Sequence, residues 1–324
     1  MRYFISLSYD GSAFCGWQSQ KAGGASAEAL SGAAEAVATV QESLERALGT
    51  LLRSPVSVVG AGRTDKAVNA IGYVAHFDFE GPLDSHALCY KLNAILPRQV
   101  VVHSVAPAPV SERFLDESGA PGPAHARFSA SQRKYTYFLH SLKDPFVEKY
   151  SLRYPFELDI AAMNAAASLM VGIHDFSCFQ KKGSDVKSPV CTVREAFWAP
   201  YSPAHVSLLG FGADSMLQVA DWRRNASPTG STLCVSEPTT TCNIGPSWRY
   251  LYFRISADRF LRNMVRATVG TLLEVGRGKR SVDDFARLIL PAGSSELPDG
   301  DLRSLAGESV PGHALFFCGA EYDV

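Results

Sequence analysis

The segment of this chain best suited to chemistry is residues 60–65, which read Gly-Ala-Gly-Arg-Thr-Asp and follow a short run predicted to be a strand. Glycines at the end of a strand let the backbone turn sharply and approach a ligand closely. The loop then offers the carboxylate of Asp65 and the guanidinium of Arg63 to that ligand. A dinucleotide site is excluded, because the third glycine of such a motif is missing at the required spacing. The alternative is a plain loop in which Arg63 and Asp65 pair on the surface.

Two further groups of side chains are candidates for the same site. Tyr135 and Tyr137 lie on one face of a predicted strand, where such residues are usually core aromatics. Arg259, Arg262 and Arg266 recur at helical spacing, which is typical of a solvated basic face. Taken in isolation, each pattern favours the structural interpretation.

Hydrophobic periodicity predicts an α+β chain that positions these residues. Alternating apolar and polar residues predict strands, and apolar residues at helical spacing predict amphipathic helices. Strand and helix order lacks strict alternation, which favours two related lobes around a largely antiparallel sheet. The predicted strands are 3–9, 56–59, 73–79, 100–105, 135–139, 194–201, 216–220 and 250–255, and the predicted helices are 40–52, 85–95, 160–171 and 259–275.

Changes in composition along the chain predict its division into two lobes. A stretch rich in Pro, Gly and Ala at 116–125 is expected to separate an N-terminal lobe, 1–120, from a C-terminal lobe, 121–324. Segments 21–39 and 222–247 are rich in small and polar residues. We expect each of them to be a loop inserted into its lobe.

The overall composition is that of an ordinary globular protein. The 324 residues contain no apolar run near the roughly 18–20 residues of a membrane span, and the N-terminus has no signal peptide, so a cytoplasmic location is expected. The seven cysteines are scattered without a Cys-x-x-Cys pair, which argues against a disulfide framework and a zinc site.

Charge is distributed unevenly along the chain. Residues 281–324 carry a net charge of -6 against -1 for the whole chain, so residues 1–280 carry +5. A basic body of this kind permits binding to a polyanion. Candidate phosphate contacts, which position RNA without reading its sequence, are Arg127, Arg133, Lys134, Lys181, Lys182, Arg223, Arg224, Arg277, Lys279 and Arg280.

Several short motifs occur in the order found in the TruA-type tRNA pseudouridine synthases. The run Gly62-Arg63-Thr64-Asp65 resembles the catalytic loop of that family. Each motif alone is a weak signal, but together they span most of the chain. The other matching segments are 9–11, 16–18, 40–42, 92–97, 125–130, 133–137, 172–176, 260–266 and 269–270.

The resemblance implies the pseudouridine synthase fold, with two lobes around a mixed, largely antiparallel sheet and a central basic cleft. It implies that Asp65 is the catalytic nucleophile and that Tyr135 stacks on the target base. It further implies that Arg266 is the basic partner of the aspartate and that Arg63 helps to extrude the nucleotide. The family also implies a homodimer that modifies tRNA uridines 38 to 40 in the anticodon stem-loop.

Uridine isomerisation suits these residue types. The N1–C1′ bond breaks, the uracil rotates and a new bond forms through C5, so no cofactor and no metal are expected. A carboxylate can form a covalent adduct or stabilise a ribose-centred intermediate, and a neighbouring arginine favours its charged form. The base must leave its stack at a cost of a few kcal/mol. Stacking on Tyr135, worth roughly 1–3 kcal/mol, would offset much of that cost.

The residues after Asp65 depart from the family pattern Ala-Gly-Val-His-Ala, since they read Lys66-Ala67-Val68-Asn69-Ala70. Ala67 in place of glycine removes easy access to positive φ. Asn69 in place of histidine loses a titratable ring but keeps hydrogen-bonding capacity. We expect these changes to affect target choice and rate more than reaction class.

Two alternative functions stay open. The altered segment 66–69 suits a non-catalytic tRNA-binding paralogue that kept the cleft and lost turnover. A hydrolytic N-glycosidase would instead release free uracil. That reaction usually requires a positioned acid or base for water, and no motif places a second carboxylate.

Overall fold

A mixed sheet of eleven strands organises the computed structural model, which describes residues 1–18, 39–115, 119–181, 188–208, 247–291 and 301–323. Two further strands form a small separate sheet. The strands are β1 (Arg2–Tyr9), β2 (Val58–Gly60), β3 (Asn69–Asp78), β4 (Val100–Pro107), β5 (Val110–Leu115), β6 (Pro121–Pro123), β7 (Ala130–His140), β8 (Leu152–Arg153), β9 (Gly172–Asp175), β10 (Val190–Pro200), β11 (Tyr250–Ala257), β12 (Leu290–Pro291) and β13 (Leu315–Tyr322).

The strand order confirms the predicted mixed, largely antiparallel sheet. The order is β12-β9-β10-β11-β7-β13-β3-β1-β4, with β2 paired to β3 and β8 paired to β7. Only β13 with β3 and β8 with β7 run parallel within the described ranges. Because β13 lies between β3 and β7, the last strand of the chain joins the two halves of the sheet.

The helices pack against this sheet and against one another. None of the helices in the described ranges is both long enough and apolar enough to cross a bilayer. Short 3-10 turns occur at Gly11–Ala13, Ser177–Phe179 and Gly312–Ala314. The helices are α1 (Val40–Leu52), α2 (Ser85–Ile95), α3 (Ile160–Ser168), α4 (Ala204–Leu208), α5 (Met264–Gly276), α6 (Val282–Ala286) and α7 (Leu302–Leu305).

Helix α1 begins where the sequence pattern predicts, immediately after the expected insertion. Thr39 and Glu42 form a capping box, in which the Glu42 N–H donates to Thr39 Oγ1 (3.2 Å) and the Thr39 N–H donates to Glu42 Oε2 (2.9 Å). These bonds satisfy backbone donors that a helix start otherwise leaves unpaired. The apolar stripe of Val40, Leu44 and Leu48 is fully buried. The predictions of α1 and of α2 are confirmed.

The helix predicted over 259–275 starts later, at Met264, and this prediction is wrong at its N-terminus. Asn263 adopts a left-handed backbone with φ 67°, which interrupts a regular helix. Arg259 and Arg262 therefore precede α5, and they share no helical face with Arg266. The sequence pattern predicted an earlier start because apolar residues before Asn263 continue the helical spacing.

Three sequence predictions involve segments that the structure describes in part or not at all. The strand expected at 216–220 lies outside the described residues, as do all of the insertion 21–39 except Thr39 and all of 222–247 except Ser247. The expected boundary at 116–125 contains strand β6. The division into lobes 1–120 and 121–324 stays a prediction.

Candidate active site

The loop between β2 and β3 carries Asp65 and is fixed by residues near the N-terminus. The Trp17 N–H donates to the Thr64 carbonyl (3.2 Å), and the Tyr9 hydroxyl bonds to Thr64 Oγ1 (2.8 Å). The Val68 N–H donates to the Asp65 carbonyl (3.2 Å). Backbone and side-chain bonds therefore hold the loop on both sides of Asp65.

Gly16 is required where the N-terminal segment meets this loop. Its φ is 102°, and a Cβ there would lie 2.5 Å from the Thr64 carbonyl oxygen. Any larger residue would push the segment away from the loop. The matching motifs around residues 9–11 and 16–18 thus position the backbone next to Asp65.

The structure brings Asp65 and Arg266 together across the sequence. Arg266 lies in the first turn of α5, and its Nη1 is 3.3 Å from Asp65 Oδ2. The Arg266 side chain is 23% exposed and the Asp65 side chain is 27% exposed. The ion pair is therefore accessible to a substrate while being partly shielded from water. The guanidinium therefore places a positive charge within ion-pair distance of the Asp65 carboxylate.

Residues 306–314, which we call the strap, contact Arg266 through Val310. Arg266 Nε donates to the Val310 carbonyl (2.7 Å), and the Val310 N–H donates to the Arg266 carbonyl (3.2 Å). The Gly307 N–H donates to Thr271 Oγ1 on the same helix (2.9 Å). Since Nε is bound to the strap, the orientation of the guanidinium towards Asp65 depends on the position of the strap.

Ser309 joins the strap to the start of α5. Its Oγ accepts hydrogen bonds from Asn263 Nδ2 (2.6 Å) and from Arg303 Nη2 (2.7 Å). Asn263 is the left-handed residue immediately before α5. Its unusual backbone is therefore coupled to the strap through its side chain.

The C-terminal end of the strap contacts the segment that follows Asp65. Asn69 Nδ2 donates to the His313 carbonyl (2.7 Å), and Asn69 Oδ1 accepts from the Gly11 N–H (2.9 Å). Asn69 uses both of its polar groups in these two bonds. Thus the strap links the loop of Asp65 to the helix of Arg266, and the sequence motifs did not single it out.

Ala67 keeps a backbone conformation that glycine would favour. Its φ is 64°, in the left-handed region. For a residue with a Cβ this conformation costs roughly 1–2 kcal/mol. Ala67 is therefore a strained residue in the loop, two positions after Asp65.

Tyr135 lies on β7 and is 7% exposed. Its ring makes edge contacts with Phe260 and Phe317, at centroid distances of 5.0 and 5.3 Å. Burial raises the pKa of Tyr135 well above its ordinary value; the charge of Arg133 opposes this rise and that of Asp65 adds to it. Its hydroxyl stays protonated at neutral pH, and within the described part of the chain it makes no hydrogen bond.

Tyr137 differs from Tyr135 in its surroundings. It is completely buried, and its hydroxyl donates to the Pro311 carbonyl in the strap (3.0 Å). Tyr137 is thus a core aromatic with a satisfied hydroxyl, whereas Tyr135 has a hydroxyl that a ligand could bind.

Arg63 and Arg133 occupy contrasting positions near the loop. Arg63 is exposed, two residues before Asp65. Arg133 is only partly exposed, and its guanidinium donates to backbone carbonyls, among them those of Ala61 and Asp258. Most donors of Arg133 are therefore bound within the protein, and its role as a phosphate contact stays a prediction.

Comparison with known proteins shows which family this chain belongs to. A family model described as tRNA pseudouridine synthase matches residues 166–323. Proteins named tRNA pseudouridine synthase A from Parabacteroides distasonis and Bacteroides fragilis are each 38% identical to the chain over 322 residues, covering 99% of it and 96% of the relative. The protein of the same name from Porphyromonas gingivalis is 36% identical over 317 residues, covering 97% and 94%. The chain belongs to the tRNA pseudouridine synthase family.

Proposed function

We propose that this chain converts uridine to pseudouridine at positions 38 to 40 of the tRNA anticodon stem-loop, with Asp65 as the nucleophile. The observation that carries the proposal is the 3.3 Å contact between Arg266 Nη1 and Asp65 Oδ2 in a member of this family. The pair places a carboxylate beside a guanidinium in a partly shielded site. A carboxylate can form a covalent adduct with the nucleoside or stabilise the charge that develops as the N1–C1′ bond breaks.

Tyr135 is proposed to receive the extruded base. Asp65 and Arg133 both influence the ionisation of its hydroxyl, which supports a position beside the nucleophile. Its protonated hydroxyl is available as a donor to the uracil. Stacking on an aromatic ring contributes roughly 1–3 kcal/mol, which offsets part of the cost of base flipping.

Arg63 is proposed to help hold the nucleotide outside its helix. Its side chain is exposed on the same loop as Asp65, so it can reach RNA that has entered the site. An arginine can bind a phosphate through two parallel hydrogen bonds or stack against a base. Either contact would stabilise the extruded state.

The family resemblance also supports a homodimer acting in the cytoplasm. Ile71 and Val101 are 57% and 46% exposed, and they lie next to Tyr150 and Phe316 around one surface pocket. Burial of such an apolar patch favours association. Light scattering of the purified chain is expected to give the mass of a dimer, and a monomer at micromolar concentration would reject this part of the proposal.

The catalytic proposal is tested by comparing the chain with its Asp65→Asn variant on a synthetic anticodon stem-loop. Pseudouridine is detected by carbodiimide derivatisation followed by mass spectrometry. The unaltered chain is expected to form pseudouridine, whereas Asp65→Asn forms none and binds the RNA within a few-fold of the unaltered affinity. Asp323→Asn, which removes a carboxylate from an exposed ion pair with Arg113, is a matched control that keeps full activity.

The two alternatives predict different products in this assay. A non-catalytic tRNA-binding paralogue gives no pseudouridine at any excess of the unaltered chain. An N-glycosidase releases free uracil. Turnover by Asp65→Asn near the unaltered rate would reject Asp65 as the nucleophile.

A further inference from the structure

The guanidinium of Arg133 donates hydrogen bonds to carbonyls of three backbone segments that are far apart in the sequence. Its Nε donates to the Ala61 carbonyl (3.0 Å), its Nη1 donates to the carbonyls of Asp258 (2.5 Å) and Ala130 (3.4 Å), and its Nη2 donates to the Arg127 carbonyl. Four carbonyl oxygens from three segments therefore surround one planar group.

Each of the three segments carries a second arginine next to the carbonyl that Arg133 binds. Ala61 precedes Arg63 by two residues, and Asp258 immediately precedes Arg259. The third carbonyl belongs to Arg127 itself. By fixing these three carbonyls, Arg133 determines where the backbones of the three outer arginines lie.

The charges of the three outer arginines are not balanced by acidic side chains. Within the part of the chain that the structure describes, none of Arg63, Arg127 and Arg259 forms an ion pair. Partial burial lowers the pKa of Arg127, and the charges of Arg63 and Arg259 lower it further. Arg127 is thus close enough to both Arg63 and Arg259 for their charges to act on it, and an anion placed beside Arg127 would relieve that repulsion.

The cluster is open to a ligand and lies beside the proposed reaction site. Arg63 and Arg127 are exposed, and Arg259 is partly exposed. Arg63 is on the loop of Asp65, and the charges of Arg133 and Asp65 both act on Tyr135. A ligand that placed an anionic group among the outer arginines would therefore have its neighbouring atoms near Asp65.

We propose that Arg63, Arg127 and Arg259 form one phosphodiester site, assembled by Arg133, for a backbone phosphate beside the extruded nucleotide. This inference rests on the proposed function, because the RNA supplies the phosphate. The forked donors of arginine match phosphate oxygens. Arg133 is a positioning residue in this site: its nitrogens are bound to carbonyls, so it supplies geometry and charge without touching the phosphate.

The test combines single-phosphate changes in the RNA with single-arginine changes in the protein. Synthetic anticodon stem-loops carry one neutral methylphosphonate at a time near the target uridine, and their dissociation constants are measured at fixed salt. With the unaltered chain, one position is expected to weaken binding about tenfold. The same change should cost clearly less in Arg127→Gln or Arg259→Gln, because part of the contact is already lost. For each of these variants the slope of log affinity against log salt should be shallower by about 1.

Arg113→Gln is the matched control, since Arg113 forms an exposed ion pair with Asp323. In this variant the methylphosphonate is expected to cost the full tenfold. Arg133→Lys keeps the charge but not the geometry of the carbonyl contacts, and the folded variant should lose the phosphate-specific effect. Methylphosphonate penalties in Arg127→Gln and Arg259→Gln equal to those of the unaltered chain would overturn the proposal.

The readout is binding, so it is independent of turnover. A chain that forms no pseudouridine but shows coupling between one phosphate and these arginines would reject the proposed function and keep the site. A chain that forms pseudouridine with no such coupling would keep the proposed function and reject the phosphate site. The two proposals can therefore fail separately.

Discussion

Replacing Gly270 with alanine is expected to slow pseudouridine formation, because it moves the strap away from α5. A Cβ at position 270 would lie 1.7 Å from the Glu308 carbonyl oxygen. Since carbon and oxygen pack no closer than about 3.2 Å without strain, the strap must retreat by about 1.5 Å. Overpacking of this kind typically costs about 1–3 kcal/mol of stability.

The same displacement reaches the ion pair. Val310, two residues after Glu308, exchanges both of its backbone hydrogen bonds with Arg266, at 2.7 and 3.2 Å. When these bonds lengthen, the guanidinium is no longer held in its orientation towards Asp65. A misplacement of about 1 Å can cost about 100-fold in rate, which corresponds to about 2.7 kcal/mol of activation free energy.

The assay is single-turnover pseudouridine formation at saturating tRNA, together with the tRNA dissociation constant and urea unfolding. Gly49→Ala is the matched control, because Gly49 lies within α1 and its Cβ would be 3.5 Å from the Ser54 carbonyl oxygen, an ordinary contact. That variant should gain about 1 kcal/mol in stability from helix propensity and keep its rate. If Gly270→Ala gained stability in the same way and kept the unaltered rate, the role assigned to the strap would be refuted.

Three further predictions concern single side chains. Tyr135→Phe should leave stability within about 0.5 kcal/mol, since no hydrogen bond within the described residues is lost, but lower the turnover number about 100-fold; equal rates would show that the hydroxyl does not act on the substrate. Ala67→Gly should raise the free energy of unfolding in urea by about 1 kcal/mol, because φ 64° costs glycine little; a lower value would contradict the strain. His76 is buried, and its Nδ1 accepts from the Ala126 N–H (3.1 Å). Burial, and then the charges of Arg2 and His125, lower the pKa of His76 to about 4. Only the unfolded chain then binds a proton on this ring between about pH 6.5 and 4, so stability falls by about 3 kcal/mol as pH drops through that window. Urea unfolding at pH 7 and pH 4 should show a smaller loss for His76→Asn, and an identical loss would be evidence against this assignment.

Residues with strong local signals were predictable from the sequence. The alternation in Arg2–Tyr9 and the apolar stripe in Val40–Leu52 each follow from one buried face, so the periodicity carries the information. Asp65 and Arg266 could be singled out together because both fall in motifs shared with one family. Their distance could not be predicted, since it depends on how α5 packs beside the loop.

Contacts made by backbone atoms were not predictable in the same way. The strap binds Arg266 and Asn69 through carbonyl groups, which every residue has, so its side chains give no sign of this role. Arg133 shows the converse problem. From sequence an arginine in a basic chain suggests a phosphate contact, yet this guanidinium binds four carbonyls, and only tertiary structure brings those carbonyls together.

The segment after Asp65, whose residue types depart from the family pattern, is held by specific contacts. Ala67 still adopts the left-handed conformation that glycine would take, and Asn69 still joins the loop to its neighbours through the Gly11 N–H and the His313 carbonyl. The loop thus keeps the contacts that place Asp65 3.3 Å from Arg266. Since this altered segment was the only sequence feature favouring a non-catalytic paralogue, the ordered contacts around it favour the catalytic interpretation. Strain at Ala67 then lowers the stability of the loop, and a less stable loop lowers the rate. Asp65 and Arg266 remain in contact.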